Sequence, residues 1–312
     1  ILDQFPDHAW AAVDADFDGL PDGAENCVSD CLIDGLTKDG SLGDYDNDGI
    51  LDTVDTDENN DGIRDIDADH DGLIEIDSVD KLNAMRFQLQ GIGLQLTDVS
   101  SVDTSGCPHV IYQGVYEQRC SGYELTQNLD FDTNNDKTID SNDAYWNSNT
   151  EGVGEGWLPV GENDNDPFSA DFNGNGYMIK NLTINRPSEY YVGLFGAVRD
   201  AKIENLAIAG LHSHVVGRSY VGALVGYAVS SRIRNVSITA NVQGSEYVAG
   251  LAGKIGASTY VENVFVSGSV GGDRYVGGLI GQSYGSSNSS KNVISQTLST
   301  SSVSGDSSTG GL

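Results

Sequence analysis

The chain has 312 residues, of which 47 are acidic and 16 are basic, so its formal net charge at pH 7 is −31. A charge of this sign and size repels nucleic acids and anionic lipids, which excludes a general nucleic-acid-binding or membrane-surface protein. No apolar run approaches the length of a membrane span, so membrane insertion is not expected either.

The acidic residues are concentrated at the start of the chain. Residues 1–77 contain 24 acidic and 2 basic residues, whereas residues 181–312 contain 7 acidic and 9 basic ones. A segment with so large an excess of negative charge repels itself, and it is either disordered or neutralised by bound cations. We therefore treat residues 1–77 as a separate acidic region.

The acidic region contains four loops with one spacing, which begin at Asp14, Asp44, Asp57 and Asp67. Each loop has oxygen-bearing side chains at alternate positions and a glycine at the sixth, where a sharp turn brings the oxygens toward one point. Several hard oxygen ligands suit Ca²⁺ better than Mg²⁺, so we predict several bound calcium ions. The predicted ligands are Asp14, Asp16, Asp18, Asp22, Asp44, Asp46, Asp48, Asp52, Asp55, Asp57, Asn59, Asp61, Asp65, Asp67, Asp69, Asp71 and Glu75.

These loops differ from EF-hands, because the bidentate Glu at the twelfth position is missing and no helices flank them. One loop runs into the next without a spacer, as in Asp52 to Asp57. The region resembles thrombospondin type-3 calcium repeats, and Asp14–Cys27 is the segment most similar to them. The alternative is a solvated acidic linker. If calcium binds, we expect binding to be coupled to folding.

Four cysteines form two local pairs in the sequence, Cys27 with Cys31 and Cys107 with Cys120. An even number in an acidic chain favours disulfides and an oxidising location, so we predict an extracellular or cell-surface protein. Four cysteines allow three connectivities, and the other two remain open.

Residues 78–122 are predicted to be a helix followed by irregular structure with a disulfide loop. Asp77 or Ser78 is placed to cap a helix whose apolar residues follow at spacings of three and four, and Gly91 ends it. Because a solenoid needs an atypical end piece, we interpret residues 78–90 as its N-terminal cap.

A fifth calcium loop is predicted further along, with Asp132, Asn134, Asp136 and Asp140 as ligands. Lys137 stands where the other loops have glycine, so the turn either forms in spite of the lysine or does not form. The loop lies in a polar insertion, residues 130–155, between two segments predicted to open the first coils, Tyr123–Phe131 and Trp157–Gly161.

Residues 123–312 are dominated by a phrase that ends in glycine. It reads YVGLFG, YVGALVG, YVAGLAG and YVGGLIG, beginning at Tyr191, Tyr220, Tyr247 and Tyr275, and its closing glycines are 30, 27 and 28 residues apart. A fixed period of this length is typical of stacked repeats, and the apolar residues between the phrases alternate as in a strand. We therefore predict a mainly β fold, a β-solenoid with coils of about 28 residues.

Other residues recur once per coil. Asn205, Asn235, Asn263 and Asn292 are predicted to stack as a ladder of amides. The glycines of the phrase are predicted to occupy corners, where glycine takes positive φ cheaply and lets backbones approach closely. The four tyrosines that begin the phrase either bind glycans as an exposed row or form buried ends of the core.

The phrase YVGGLIG and its variants resemble the GLUG motif of bacterial secreted and surface proteins. This resemblance implies a surface or adhesion role more than an enzymatic activity. Accordingly, the principal hypothesis is a secreted, calcium-stabilised structural or adhesive protein with a glycan or cell-surface ligand. Assembly head to tail into a homo-oligomeric filament is part of this hypothesis.

The alternative hypothesis is a polysaccharide lyase or hydrolase on a solenoid. Its candidate carboxylates are Glu246, Glu262 and Asp273, which lie at the starts of coils. Two further motifs are weaker: Gly281–Gly285 matches a nucleophile elbow only in letters, and His212 with His214 lacks a third metal ligand. No catalytic residue is therefore predicted.

Overall fold

The computed structural model describes residues 64–95, 101–113, 115–147, 154–285 and 290–311. The chain divides into two compact units, Ile1–Gly72 with Asp103–Arg119 and Leu73–Val102 with Cys120–Leu312. The helical elements of the described residues are α1 (Val79–Ala84) and a 3-10 turn (Met85–Phe87).

The strands are, in chain order, β1 (Leu73–Ile76), β2 (His109–Tyr112), β3 (Val115–Gln118), β4 (Gly122–Leu125), β5 (Leu129–Asp130), β6 (Asp171–Asn173), β7 (Met178–Lys180), β8 (Thr183–Asn185), β9 (Tyr190–Val192), β10 (Phe195–Arg199), β11 (Lys202–Ala209), β12 (His214–Val216), β13 (Ser219–Gly222), β14 (Val225–Val229), β15 (Arg232–Gln243), β16 (Glu246–Ala249), β17 (Ala252–Ile255), β18 (Tyr260–Gly277), β19 (Ile280–Ser283), β20 (Val293–Ser299) and β21 (Ser302–Gly310).

The described part of the first unit consists of an acidic loop and a hairpin. Strands β2 and β3 pair antiparallel, with His109 opposite Gln118 and Tyr112 opposite Val115. The prediction of irregular structure for residues 91–122 was therefore wrong at this hairpin.

The second unit is a β-solenoid of about five turns, which confirms the predicted fold class. Its principal sheet runs in the order β1-β4-β6-β11-β15-β18, and a second sheet runs β10-β14-β17-β19. Every pairing along these two runs is parallel. Each strand thus lies beside the equivalent strand of the next coil.

Alternation of apolar and polar residues places one face of each strand in the core. On β15, Val236 and Ile238 are buried, whereas Ser237 and Thr239, which alternate with them, are exposed. The same register repeats between coils, so that Ile203, Ile233 and Val261 form a fully buried column. Because each coil covers the apolar face of its neighbour, a slip of one residue would expose the whole set.

The corners of the coils are formed by residues other than glycine in the left-handed region. Their φ angles lie between 51° and 60° at Asn205, Asn235 and Asn263, at Tyr191, Tyr220, Tyr247 and Tyr275, and at Asp200, Ser230 and Ser258. The prediction that glycines of the phrase supply positive φ was wrong. The close backbone approach that was also predicted is confirmed, since a Cβ on Gly226 would lie 2.6 Å from the carbonyl oxygen of Gly196.

Asparagine side chains form a ladder at one of these corners. The Nδ2 atoms of Asn205, Asn235 and Asn263 donate to the Oδ1 atoms of Asn173, Asn205 and Asn235 at 2.9, 2.8 and 2.9 Å. The predicted fourth member, Asn292, is not part of the ladder, since its Nδ2 donates to Ser283 and to the carbonyl of Tyr284. In that coil Gln296 has the left-handed corner conformation, with φ 52°.

The four tyrosines of the phrase stack along the solenoid. Successive ring centroids from Tyr191 to Tyr275 are 5.0, 4.9 and 4.8 Å apart, and the last two pairs are nearly parallel. The rings are half-buried. Their faces cover one another, so the row presents ring edges to solvent. The tyrosines are therefore neither a fully exposed row nor buried ends of the core, and glycan binding by them stays a prediction.

The segments that were predicted to open the first coils belong to the solenoid, but β1 precedes β4 in the order of the principal sheet. Tyr123 and Leu125 lie on β4, and Gly156, Val160 and Phe168 form bridges to the next coil at Ile184, Phe195 and Val198. The described residues 132–147 therefore lie in an insertion between these segments.

The predicted helix is shorter than expected. Ser78 caps α1, its side chain accepting from the backbone N–H of Lys81 at 3.2 Å, and the 3-10 turn ends at Phe87. Arg86 donates to the carbonyl of Leu158 at 2.8 Å and lies over the Trp157 ring.

Strand β1, which precedes the helix in the chain, pairs with β4. The solenoid sheet therefore includes residues that we had assigned to the acidic region.

Replacing a central ladder residue should destabilise the fold. Asn235→Ala removes two amide hydrogen bonds, which we expect to lower the free energy of unfolding by about 2 kcal/mol. Asn235→Gly loses the same bonds without left-handed strain and should be about 1 kcal/mol less damaging than alanine. Chemical denaturation measures both, with Ser237→Ala on the same strand as the control. Equal stability of Asn235→Ala and Ser237→Ala would show that the ladder contributes nothing.

Candidate metal centre

The described acidic loop of the first unit runs from Asp67 to Gly72. The carboxylate of Asp67 accepts from the backbone N–H groups of Asp71 and Gly72 at 3.2 and 2.9 Å. Gly72 has φ 88°, which a residue with a side chain adopts only at a cost. These bonds fold the segment into a tight turn with the carboxylates on its concave side.

Three carboxylates converge in this turn. Asp67, Asp69 and Asp71 each offer one oxygen, and these oxygens lie within 4.8 Å of one another. Burial, together with the neighbouring charges of Asp71 and Asp69, raises the pKa of Asp67 to about 7 in spite of the Gly72 hydrogen bond. Ionisation of this carboxyl is therefore unfavourable unless a positive charge compensates it. The residues present fit a hard cation.

The second loop, in the second unit, repeats the same hydrogen-bond scheme. Asp132 accepts from the backbone N–H groups of Asp136 and Lys137 at 3.1 and 2.9 Å, which are the fifth and sixth positions of the loop. Lys137 has φ 72°, so it adopts the left-handed turn that Gly72 makes in the first loop. The turn therefore forms in spite of the lysine.

Sequence reasoning missed one carboxylate of this loop, Asp143. Asp143 stands at the twelfth position of the loop when Asp132 is counted as the first, and it is buried. Its oxygens accept from the backbone N–H groups of Thr133 and Asp140 at 2.7 and 2.9 Å. The twelfth position is the one that closes an EF-hand-type loop. The signal was the spacing itself, which we had read only for Glu.

Further predicted ligands among the described residues are Asp65, Glu75 and Asp140. Asp65 is buried in the first unit, and Glu75 is buried on β1, in register with Glu124 of β4. Asp140 turns back on its own chain and accepts from the backbone N–H of Asn142 at 2.8 Å. The predicted residues Asp14, Asp16, Asp18, Asp22, Asp44, Asp46, Asp48, Asp52, Asp55, Asp57, Asn59, Asp61, Cys27 and Cys31 lie outside the described residues. Cys107 and Cys120 are both buried, and their pairing remains a prediction.

A small pocket lies next to the second loop. It has a volume of about 220 Å³, and Trp146, His212 and His214 are among its lining residues. The His212 Nε2 atom is 3.1 Å from the carbonyl oxygen of Lys137, which joins the loop to the following coil. In the described part of the chain neither imidazole belongs to a group of three metal-binding side chains.

The carboxylates of the enzyme hypothesis are placed as follows. Glu246 forms an ion pair with Arg274 of the next coil. Glu262 and Asp273 are exposed near opposite ends of β18.

Changing the unusual lysine tests whether the second loop is strained. Lys137→Gly relieves the positive φ and should stabilise the chain by about 1 kcal/mol in the absence of calcium. Lys137→Ala keeps the strain and serves as the matched control. The free energy of unfolding from chemical denaturation is the measurement, and equal values for the two variants would contradict the assigned backbone conformation.

The chain is similar in sequence to segments of known proteins. It is 26% identical over 163 residues to Halomucin of Haloquadratum walsbyi, and the matched residues make up 52% of this chain and 2% of that protein. It is also 43% identical over 89 residues to a candidate Gly-rich membrane protein of Evansella cellulosilytica. These residues make up 27% of this chain and 10% of that protein. The chain thus spans only a small part of the length of either relative.

A solved structure from Bacteroides ovatus, named as a candidate immunoglobulin A1 protease, matches 75% of this chain and 67% of its own, with a TM-score of 0.41 and 17% identity. Among the described residues, no helix has the length and apolar character needed to cross a membrane. Residues 217–243, which contain the second tyrosine phrase, match the family model described as the GLUG motif. The chain therefore carries the GLUG motif that its repeated phrase predicted.

Proposed function

We propose that this chain is an extracellular surface protein in which calcium bound by the aspartate loops stabilises the fold and the solenoid acts as an adhesive scaffold. The observation that supports calcium most strongly is the shared geometry of the two described loops. In each, the first aspartate binds the backbone N–H groups of the fifth and sixth residues. Two separate segments thus adopt one backbone turn. The carboxylates of Asp67, Asp69 and Asp71 converge in the first loop, whereas the four described carboxylates of the second loop do not form such a group of three.

The donor set of the second loop favours calcium over other metals. By sequence, Asp132, Asn134, Asp136, Asp140 and Asp143 stand at positions 1, 3, 5, 9 and 12 of the loop, and the carbonyl of Thr138 stands at position 7. Six oxygen positions with several carboxylates suit Ca²⁺, whereas Mg²⁺ keeps more of its waters. Structural Zn²⁺ sites are usually tetrahedral and built from Cys and His, and neither residue occurs at these positions.

Electrostatics gives calcium a structural role. The excess of carboxylates in residues 1–77 opposes compaction, and bound divalent cations offset that repulsion. Burial, ahead of the neighbouring charges of Asp71 and Asp69, raises the pKa of Asp67 to about 7, and a bound cation would also offset the cost of burying this carboxylate. The proposal is therefore that calcium contributes to folding in this region and serves no catalytic step.

The surface location rests on the motif and the relatives. The GLUG motif is present, and one of the relatives is named as a candidate membrane protein. A parallel solenoid with stacked corners is rigid and extended along one axis, so it suits the display of a binding face away from a cell surface.

Calcium titration tests the metal proposal. We expect the full chain to melt at a higher temperature in Ca²⁺ than in EGTA. The free energy of unfolding should rise by about 2.7 kcal/mol for one site when free calcium is a hundred times its dissociation constant. Isothermal titration calorimetry should show one site fewer in the Asp132→Asn, Asp136→Asn double variant and one fewer in Asp67→Asn, Asp69→Asn.

The control is Asp273→Asn, which removes one exposed carboxylate outside the loops and should leave the stoichiometry unchanged. Mg²⁺ at the same concentration should stabilise the chain less than Ca²⁺. A melting temperature that is insensitive to calcium, or an unchanged stoichiometry in both double variants, would overturn the proposal.

A further inference from the structure

An open groove runs along the outside of the solenoid at the asparagine corner. It has a volume of about 570 Å³, and it is lined by residues of successive coils, including Asn205, Asn235, Asn263 and Gln296. The left-handed residue bends each strand there, so the groove follows the inside of a bend that repeats in every coil. It is therefore long in the direction of the solenoid axis.

The amides along the groove retain unused hydrogen-bonding capacity. Each ladder bond uses one N–H of an amide and one lone pair of its neighbour, whereas a carboxamide has two of each. Asn235 and Asn263 are exposed. The groove thus presents a donor and an acceptor at every coil, spaced by the strand separation of about 4.8 Å.

One wall of the groove is apolar. Ala207, Ser237, Phe265 and Leu298 occupy equivalent outward positions in successive coils. Phe265 and Leu298 are 37% and 56% exposed. The two small residues leave room in the first half of the column, and the two large ones provide an apolar shelf in the second half.

The lining contains no ionisable side chain, although the whole chain carries a net charge of −31. A charged ligand would find no counter-charge among the side chains that line the groove. The complementary ligand is uncharged, rich in hydroxyl groups, extended, and able to lay an apolar face on Phe265 or Leu298.

We propose that this groove binds a neutral polysaccharide chain that lies along the solenoid axis. Hydroxyl groups of successive sugar units exchange hydrogen bonds with successive amides, and the apolar faces of the rings contact the shelf. The proposal names the class of ligand for the proposed adhesive role and rests on that role only for its biological setting, because the groove needs no calcium ligand.

Two substitutions on one strand test the site. Ser237→Arg places a long charged side chain in the groove, whereas Thr239→Arg places the same side chain on the same exposed face two residues further on, outside the lining. Affinity electrophoresis and calorimetry with starch, mannan, xyloglucan and dextran should show binding to at least one of these neutral polymers. Ser237→Arg should weaken that binding by at least about tenfold, and Thr239→Arg should leave it unchanged.

Circular dichroism confirms that both variants fold, and Phe265→Ala provides a second groove variant without added charge. Binding to none of the neutral polymers, stronger binding to alginate or polygalacturonate, or equal loss in Ser237→Arg and Thr239→Arg would each overturn the proposal. Repeating the titration in EGTA separates the two proposals. If the polysaccharide binds but calcium does not change the melting temperature, only the calcium role is refuted. If calcium raises the melting temperature but no polysaccharide binds, only the groove proposal is refuted.

Discussion

The solenoid turns its corners with side-chain-bearing residues in the left-handed region, and the remaining structure depends on how that conformational cost is offset. A residue in this region costs about 1–2 kcal/mol. At the asparagine corner, amide hydrogen bonds between coils offset it. At the tyrosine corner, ring stacking between coils does so. Because both contributions exist only when neighbouring coils are in register, the corners enforce the register that buries the core.

This constraint also bears on where an insertion is placed. The aspartate loop that begins at Asp132 leaves the buried rungs in place, since Gly156 and Val160 still bridge to the next coil. The groove is the outer surface of the asparagine corner, so the ladder that stabilises the turn also provides the polar groups that face solvent. Stability and the proposed recognition thus use the same amides.

The repeated phrase and the alternation at Val236 and Ile238 were enough to predict a β-solenoid, because burial between coils leaves a period in the sequence. The prediction of the ladder was wrong at two residues, since it omitted Asn173 and included Asn292. Asn263 and the next corner, Gln296, are 33 residues apart, and a longer coil moves the corner away from Asn292. Lys137 shows that a turn rule based on glycine fails where the Asp132 carboxylate holds the backbone. Asp143 was missed because only Glu was considered at the twelfth position.

The most direct test of the corner account is hydrogen exchange at the side-chain amides of asparagine, followed by NMR on a sample labelled only at asparagine. The account predicts that one proton of each carboxamide of Asn205, Asn235 and Asn263 exchanges more slowly than those of the exposed Asn165, because that proton is shared with the next coil. Exchange of all four carboxamides at the same rate would contradict the ladder and, with it, the explanation of the left-handed corners.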